Sequence, residues 1–318
     1  MINFRFSIII PVYNRPKEID ELLESLTKQA FSDTFEVIVI EDGSTEKCDS
    51  FVEKYTSQLT INYFLKENSG AGASRNYGMQ KAKGNYFIIL DSDVILPPQY
   101  LSEVKKALQE NFTDAFGGPD AAHKNFTSLQ KAINFSMTSV LTTGGIRGKK
   151  SSVGKFQPRS FNMGISKEAF VLTNGFADLK TGEDIDLTFR VWEQKLETQL
   201  IEKAFVYHKR RSTLEDFFRQ TFAFGKARPK LNKRYPETAK ITYWLPSLFI
   251  LGLDISIIFA IFGFWQLLII YGCYFLLIFL DSLFQNKNLY VAFLSVITTL
   301  VQFLGYGLGF LQSKFFKA

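Results

Sequence analysis

Residues 87–98, FIILDSDVILPP, end an apolar run in two carboxylates one residue apart, Asp91 and Asp93. An ionised carboxylate beside a buried strand is costly unless it faces water, is paired or binds a cation. Mg2+ or Mn2+ suits such a pair, because these ions take one or two carboxylates and keep positions for phosphate oxygens. A lone D-x-D is common by chance, so its weight comes from its surroundings. Three further polar clusters follow apolar runs in the same way: Pro11-Val12-Tyr13-Asn14, Glu41-Asp42-Gly43-Ser44 and Asn68-Ser69-Gly70. The stretch 70–76, GAGASRN, adds small residues, a helix start and Arg75. Arg75 reads either as a contact to a phosphate or base, or as a structural salt bridge to one of the acids. A second acid cluster, GEDIDLTFRVWE at 182–193, opens a helix. It offers Glu183 and Asp184 as general bases, with Asp186 suited to a cap or an ion pair. His208 follows the short apolar run AFVY at 204–207, as a ligand or as an ordinary histidine.

The elements that must position these groups are legible from pattern. FSIIIPV (6–12), FEVIVI (35–40), TINYFL (60–65) and NYFIIL (85–90) read as strands, most of them apolar throughout. Residues 16–30 read as a helix, with Pro16 in the first turn and Ile19, Leu22, Leu23 and Leu26 at helical spacing. Helices are also expected over 46–58 and 70–82. Alternating strands and helices imply a parallel sheet covered on both faces. In such sheets a ligand lies beyond the carboxyl ends of the strands, where all four polar clusters fall.

The chain of 318 residues carries a net charge of +6, unevenly spread. Basic residues crowd the stretch from Lys209 to Arg234, and beyond Lys240 charges become scarce. Residues 244–262, 264–284 and 289–311 each approach the length of about 20 apolar residues that crosses a bilayer. Two to three spans are expected. Asp281 is expected near an interface, and Asp254 deep, facing a neighbouring helix or marking a shallow hairpin. Between catalytic part and spans, Phe217, Phe218, Phe222 and Phe224 alternate with Arg219, Lys226 and Arg228. That mixture predicts an interfacial helix whose rings enter the headgroup region, the alternative being a solvated charge run. The expected division is 1–202 catalytic, 203–240 basic and interfacial, and 241–318 membrane. Cys48 and Cys273 make no disulfide framework. The N-terminal stretch lacks the pattern of a signal peptide, so the catalytic part is expected in the cytoplasm, on the inner (plasma) membrane.

Taken together, SIIIPVYNRP (7–16), VIVIEDGST (37–45), NSGAGASRNYGMQKAKG (68–84), IILDSD (88–93) and FNMGISKEAF…NGF…GEDIDLTFR across 161–190 resemble family 2 glycosyltransferases of the GT-A fold. The resemblance covers roughly residues 5–235. It implies an α/β, Rossmann-like nucleotide-diphospho-sugar transferase domain, here followed by C-terminal transmembrane helices. It also implies inverting transfer from a nucleotide-diphosphate sugar, by default a UDP-sugar, with Mg2+ or Mn2+. Pro11, Tyr13, Asp42, Arg75 and Asp91 would serve the nucleotide, Asp93 and His208 the metal, and Asp184 would deprotonate the acceptor hydroxyl. Glu183, Arg219 and Arg228 are assigned to the acceptor and membrane side. The expected partners are the nucleotide-sugar donor, a lipid-linked or saccharide acceptor and the membrane, with no nucleic acid.

Several features depart from the family pattern. Glu41-Asp42 replaces the common aspartate pair, Asn174-Gly175-Phe176 replaces Gly-Gly-Phe, and the Gln-x-x-Arg-Trp motif of processive synthases is missing. Addition of a single sugar is therefore expected. A dehydrogenase is disfavoured because no G-x-G-x-x-G follows the first strand. An aspartyl phosphatase would carry its D-x-D after strand one, not strand four. A membrane-tethered nucleotide-sugar-binding protein without activity is the rival reading, opposed by the presence of both the Asp91/Asp93 pair and Asp184.

Overall fold

Because FSIIIPV has no polar face, it can only be a strand covered on both sides, and it lies inside the sheet with a strand on either flank. The computed structural model describes residues 3–144 and 155–316. In chain order the first elements are β1 (Phe6–Val12), α1 (Pro16–Thr27), β2 (Phe35–Asp42), α2 (Asp49–Glu53), β3 (Thr60–Lys66), α3 (Ala71–Lys81) and β4 (Tyr86–Leu90). There follow β5 (Val94–Ile95), α4 (Tyr100–Glu110), β6 (Ala115–Gly117), β7 (Asp120–Ala121), α5 (Ser128–Thr138) and α6 (Val140–Thr143). The chain continues through β8 (Asn162–Ser166), α7 (Lys167–Thr173), α8 (Glu183–Glu193), β9 (Thr198–Leu200) and β10 (Val206–His208). It ends with α9 (Leu214–Arg234), α10 (Leu245–Ile261), α11 (Gln266–Asn286) and α12 (Leu289–Phe315).

A seven-stranded sheet runs β3-β2-β1-β4-β8-β6-β9, and a small sheet runs β5-β10-β7. The first four strands of the large sheet are parallel. Beyond them the expectation of an all-parallel sheet gives way: β8 is antiparallel to both β4 and β6. β4 and β6 thus run the same way with one place between them, and β8 fills it. The expected helix over 46–58 shortens to α2 followed by tight turns, with Tyr55 N–H bonded to Val52 O and Gln58 N–H to Tyr55 O.

Alternate residues of each strand feed opposite faces. Ile8, Ile10, Val39 and Ile88 meet Ile19, Leu22, Leu23 and Leu26 of α1 on one face. Ile9, Ile38, Phe87 and Ile89 meet Met79 of α3 and Leu187 and Val191 of α8 on the other. Each such side chain contributes about 1.5–3 kcal/mol by leaving water. Two helices that carry polar groups are thereby pinned at the carboxyl edge of the strands. Cys48 and Cys273 are both free.

The described chain divides into two units. The first holds residues up to His123 together with those from Lys155 to Lys209; the second holds α5 and α6 together with everything from Arg210 onward. The division falls at Lys209, not at residue 202, because β10 pairs with β5 and β7 and so completes the first unit. Nor is 203–240 a separate layer, because α9 packs along α12.

The second unit is all helical around α12. Its sequence Gly305-Tyr306-Gly307-Leu308-Gly309 lets two helices approach at van der Waals distance. A Cβ at Gly305 would lie 2.1 Å from Thr221 Oγ1 and one at Gly309 would lie 2.2 Å from Phe222 O, both on α9. At Gly307 it would meet Pro246 and Ser247 of α10 at 3.1 Å. Phe217 is fully buried against Ile133 and Met137 of α5, with Phe224 packed beside it. The expectation that Phe217 and Phe224 enter a headgroup region is therefore corrected: the apolar face of α9 is used up inside its own unit. Three helices, spanning Ile241–Ile261, Gln266–Asn286 and Leu289–Phe315, are long and apolar enough to cross a membrane. Asp281 accepts from Ser139 (3.0 Å) and Gln285 (2.8 Å) near the end of α11. Asp254 lies on the exposed face of α10, not against a neighbouring helix of this chain.

Candidate functional site

The turn after β4 gives Asp91 and Asp93 different partners. β5 begins one residue past Asp93 and pairs antiparallel with β10, opposing Val94 to His208. That register brings His208 Nε2 to 3.3 Å from Asp93 Oδ1. The imidazole stacks on Phe161 at 4.8 Å, and its Nδ1 lies 3.8 Å from Asp120 Oδ2. Arg15, between β1 and α1, donates to Asp93 Oδ2. Burial by itself would raise the Asp93 pKa, but His208 and then Arg15 outweigh it and hold the carboxyl well below the usual range.

Asp91 is held by a second arginine. It accepts from Arg75 Nη2 at 2.7 Å, while Arg75 Nη1 donates to Glu183 at 2.9 Å. Arg75 is almost fully buried, with its guanidinium 5.3 Å from the Phe176 ring. Both terminal nitrogens are thus taken by acids, and of the two readings left open by sequence the salt bridge is the one seen. The bridge ties the D-x-D turn to the first residue of α8. Gly182 precedes that helix at φ 85°, a left-handed conformation that a side chain would strain. Glu183, expected on the acceptor side, is instead part of this bridge. Burial and then Asp184 push its pKa up, against Arg75. Asp184 accepts from the Ile185 amide at 2.8 Å, and its other oxygen lies 4.0 Å from Arg159. Asp186 pairs with Arg190 at 2.8 Å, fully buried, as an ion-pair residue should.

Asp91, Asp93 and His208 place ligating atoms within 4.8 Å of one another. Asp93 Oδ1 is buried and makes no well-aligned hydrogen bond, with His208 Nε2 beside it at 3.3 Å, so imidazole and carboxylate face one another across a gap that a shared cation would satisfy. Two carboxylates and an imidazole suit a hard to borderline divalent ion such as Mn2+ or Mg2+.

A family comparison agrees with this geometry: residues 7–170 match the Glycosyl transferase family 2 model. The chain is a member of glycosyl transferase family 2. Among curated relatives, the poly(ribitol-phosphate) beta-N-acetylglucosaminyltransferase TarS of Staphylococcus aureus is 39% identical over 113 residues, 35% of this chain and 20% of that protein. Chondroitin synthase of Escherichia coli is 27% identical over 235 residues, 64% of this chain and 34% of that protein. The alignments thus span only a fifth to a third of these relatives. Among solved structures, the mannosyltransferase PcManGT of Pyrobaculum calidifontis, in complex with GDP-Man and Mn2+, aligns over 100% of this chain and 89% of its own with a TM-score of 0.64 and 15% identity. These likenesses establish the mixed α/β GT-A fold, here followed by three long apolar helices.

At the far end of this family 2 edge, Asp42 is buried. It accepts from Lys66 Nζ and Ser69 N–H on one oxygen and from Gly70 N–H, at 2.9 Å, on the other. Burial pushes its pKa up, but Lys66 and the Ser69 amide outweigh that and leave it below the ordinary range. Its carboxylate organises the turn into α3 and keeps little capacity for a ligand. Glu41, fully buried, accepts from Ser44 and from the Cys48 amide at 2.8 Å. Pro11, one residue before the end of β1, is half-buried, and Tyr13, just past the strand, is 52% exposed. Asn14 Oδ1 accepts from the amides of Thr45 and Glu46, joining the loops after β1 and β2.

In the second unit Arg219 is exposed and paired with Glu215 at 2.6 Å. Arg228, assigned with it to the acceptor, is buried with its guanidinium 4.2 Å from the Tyr243 ring, so the two do not share a face open to a headgroup. The sequence reading passed over Arg15, Lys66 and Asp120. Arg15 lies within SIIIPVYNRP (7–16), and an arginine just before a helix is a poor cap, which is the one local signal it carries. Lys66 and Asp120 carried none, because their roles depend on pairing across the sheets.

Proposed function

We propose that this protein is an inverting glycosyltransferase that moves a sugar from a nucleotide-diphosphate sugar, by default a UDP-sugar, to a hydroxyl of a lipid-linked or polysaccharide-precursor acceptor at the cytoplasmic face of the plasma membrane. The observation that carries the reading is the convergence of Asp91, Asp93 and His208 within 4.8 Å at the carboxyl edge of the strands, joined to the Glu183-Asp184 helix start through Arg75. The nucleotide would lie along Pro11, Tyr13 and the turn that Asp42 organises. Asp91, Asp93 and His208 would hold the divalent ion, which supplies charge stabilisation for the departing diphosphate. Asp184 takes the proton from the acceptor hydroxyl as it attacks the anomeric carbon, since that hydroxyl is a weak nucleophile near neutral pH. Attack opposite the leaving group inverts the centre. Arg75 keeps Asp91 and α8 in register, so that base and nucleotide site are held at fixed separation. The exposed side of α9, with Arg219, Lys230 and Lys233, is the face suited to anionic headgroups, each cation contributing on the order of 1 kcal/mol. Arg228 has no part in it.

The test is nucleotide release by the full chain in detergent or nanodiscs, with Mn2+ and a panel of UDP- and GDP-sugars, with and without membrane lipid extract. Release of the diphosphate by wild type, and its loss in Asp184→Asn with donor binding kept, supports transfer. Donor binding with no release under any condition would leave the non-catalytic binding protein as the correct reading.

A further inference from the structure

We propose that Arg15 is a built-in counter-cation of the metal site, which holds Asp93 until a divalent ion displaces it and then turns to the diphosphate of the donor. The inference rests on the assignment of Asp91, Asp93 and His208 as the ion's ligands. Two arginines serve the two acids of the D-x-D turn, and they differ in one respect. Arg75 is 4% exposed and held from both sides by Asp91 and Glu183, so it has nowhere to go. Arg15 is 30% exposed and has Asp93 as its ion-pair partner, so its guanidinium has an open path to solvent.

Local helix physics gives Arg15 no reason to be where it is. It occupies the N-cap of α1, makes no capping bond, and puts positive charge at the end of a helix that favours negative charge. What it does there is neutralise Asp93, whose carboxylate is otherwise enclosed. With a divalent ion held by Asp91, Asp93 and His208, that neutralisation would pass from Arg15 to the ion. The released guanidinium is then a free planar fork beside the bound ion, matched to phosphate oxygens. Each anion of the site keeps a cation in both states: Asp93 first with Arg15 and then with the metal, and the donor diphosphate with the metal and Arg15. Metal and donor would therefore bind with positive coupling.

The experiment is Mn2+ binding by the full-length protein in detergent, read by electron paramagnetic resonance of free Mn2+, with and without UDP, for wild type, Arg15→Gln, Arg15→Lys and Asp93→Asn. Removing an opposite-charge neighbour from a ligating carboxylate is expected to tighten Mn2+ binding without UDP roughly tenfold or more in Arg15→Gln. Arg15→Lys keeps the competing charge and should stay near wild type. The gain in Mn2+ affinity on adding UDP should shrink in Arg15→Gln. The thermal midpoint of Arg15→Gln should fall below wild type in EDTA and recover in saturating Mn2+, a pattern that a merely structural arginine would not produce. Arg15→Met substitutes if the glutamine variant does not fold. Unchanged or weaker Mn2+ binding in the neutral variants, with Asp93→Asn abolishing it, overturns the role of Arg15 and leaves the metal site standing. Failure of wild type to bind Mn2+, or equal binding by Asp93→Asn, overturns the metal assignment and the Arg15 inference with it.

Discussion

The carboxyl edge of the sheet and the glycine seam of the helical unit handle buried polarity in opposite ways. At the edge, full charges are enclosed and matched in pairs: Asp91 with Arg75, Asp93 with Arg15 and His208, Asp42 with Lys66. Along α12 the buried polar groups are neutral, and most are hydroxyls bonded to the helix itself or to a helix beside it: Ser295 to Val291 O at 2.8 Å, Thr299 to Ser295 O at 2.7 Å, Thr298 to Ala132 O of α5 at 3.2 Å, and Ser282 of α11 to Ser295 at 2.7 Å, with Gln302 the larger exception. The difference follows from solvent. An edge open to water can exchange one counter-ion for another, which is what binding a charged donor requires. A seam among helices of membrane-spanning composition has no water to re-solvate a broken charge pair, so it relies on close contact and self-contained hydrogen bonds.

Substitutions can break this contrast at points of decreasing severity. Asp184→Asn, which keeps the shape but not the base, should lower turnover by about 10²–10⁴ while donor affinity stays within a few-fold, measured by steady-state kinetics against nucleotide binding. A parallel loss of donor affinity would place Asp184 in the nucleotide site. Gly305→Leu forces a side chain into Thr221 and the Phe218 carbonyl, and overpacking of this kind costs about 1–3 kcal/mol. Thermal melting of the protein in detergent reads it. Ser282→Ala removes two neutral bonds where α11 meets α12, to Ser295 and from Asn286, and should cost only about 1 kcal/mol, by the same measurement. A loss of several kcal/mol there would mean the seam depends on polar networks as the edge does.

The smallest expected effect is on acid sensitivity. The pKa of Asp42 is lowered by Lys66 and the loop amides in the folded state, against the effect of burial. Its contribution is present above the ordinary aspartate range and is lost as pH falls through the folded value. Melting midpoints of Asp42→Asn should decline less steeply than wild type between roughly pH 5 and 3. An identical decline would show that other carboxylates govern acid unfolding.

Much of the scaffold was legible before any coordinates. The four runs became β1 to β4 nearly residue for residue: β1, β2 and β4 because a strand buried on both faces is almost wholly apolar, and β3, a half-exposed edge strand, because its β-branched and aromatic residues favour a strand. Pro16 and the spacing of Ile19, Leu22, Leu23 and Leu26 identified α1 for the same local reason. Length and apolarity sufficed for the C-terminal helices, the placing of polar clusters after strands sufficed to name Asp91 and Asp93 as candidates, and the acid cluster opening a helix at 182–193, with the family resemblance, named Asp184. What only the tertiary structure decided is who meets whom. His208 reaches Asp93 through the β5–β10 register, a pairing of two very short strands with no periodic signature. Arg75 could equally have faced a ligand or an acid, and the depth of its burial between Asp91 and Glu183 settled it. Phe217 has the same amphipathic context whether its ring meets lipid or Ile133, and only the approach of α9 to α12 at Gly305 and Gly309 turned it inward. Periodicity records which side of an element is buried. Choice of ion-pair partner, strand register and helix docking depend on groups far away in sequence, whose distances the chain sets only by folding.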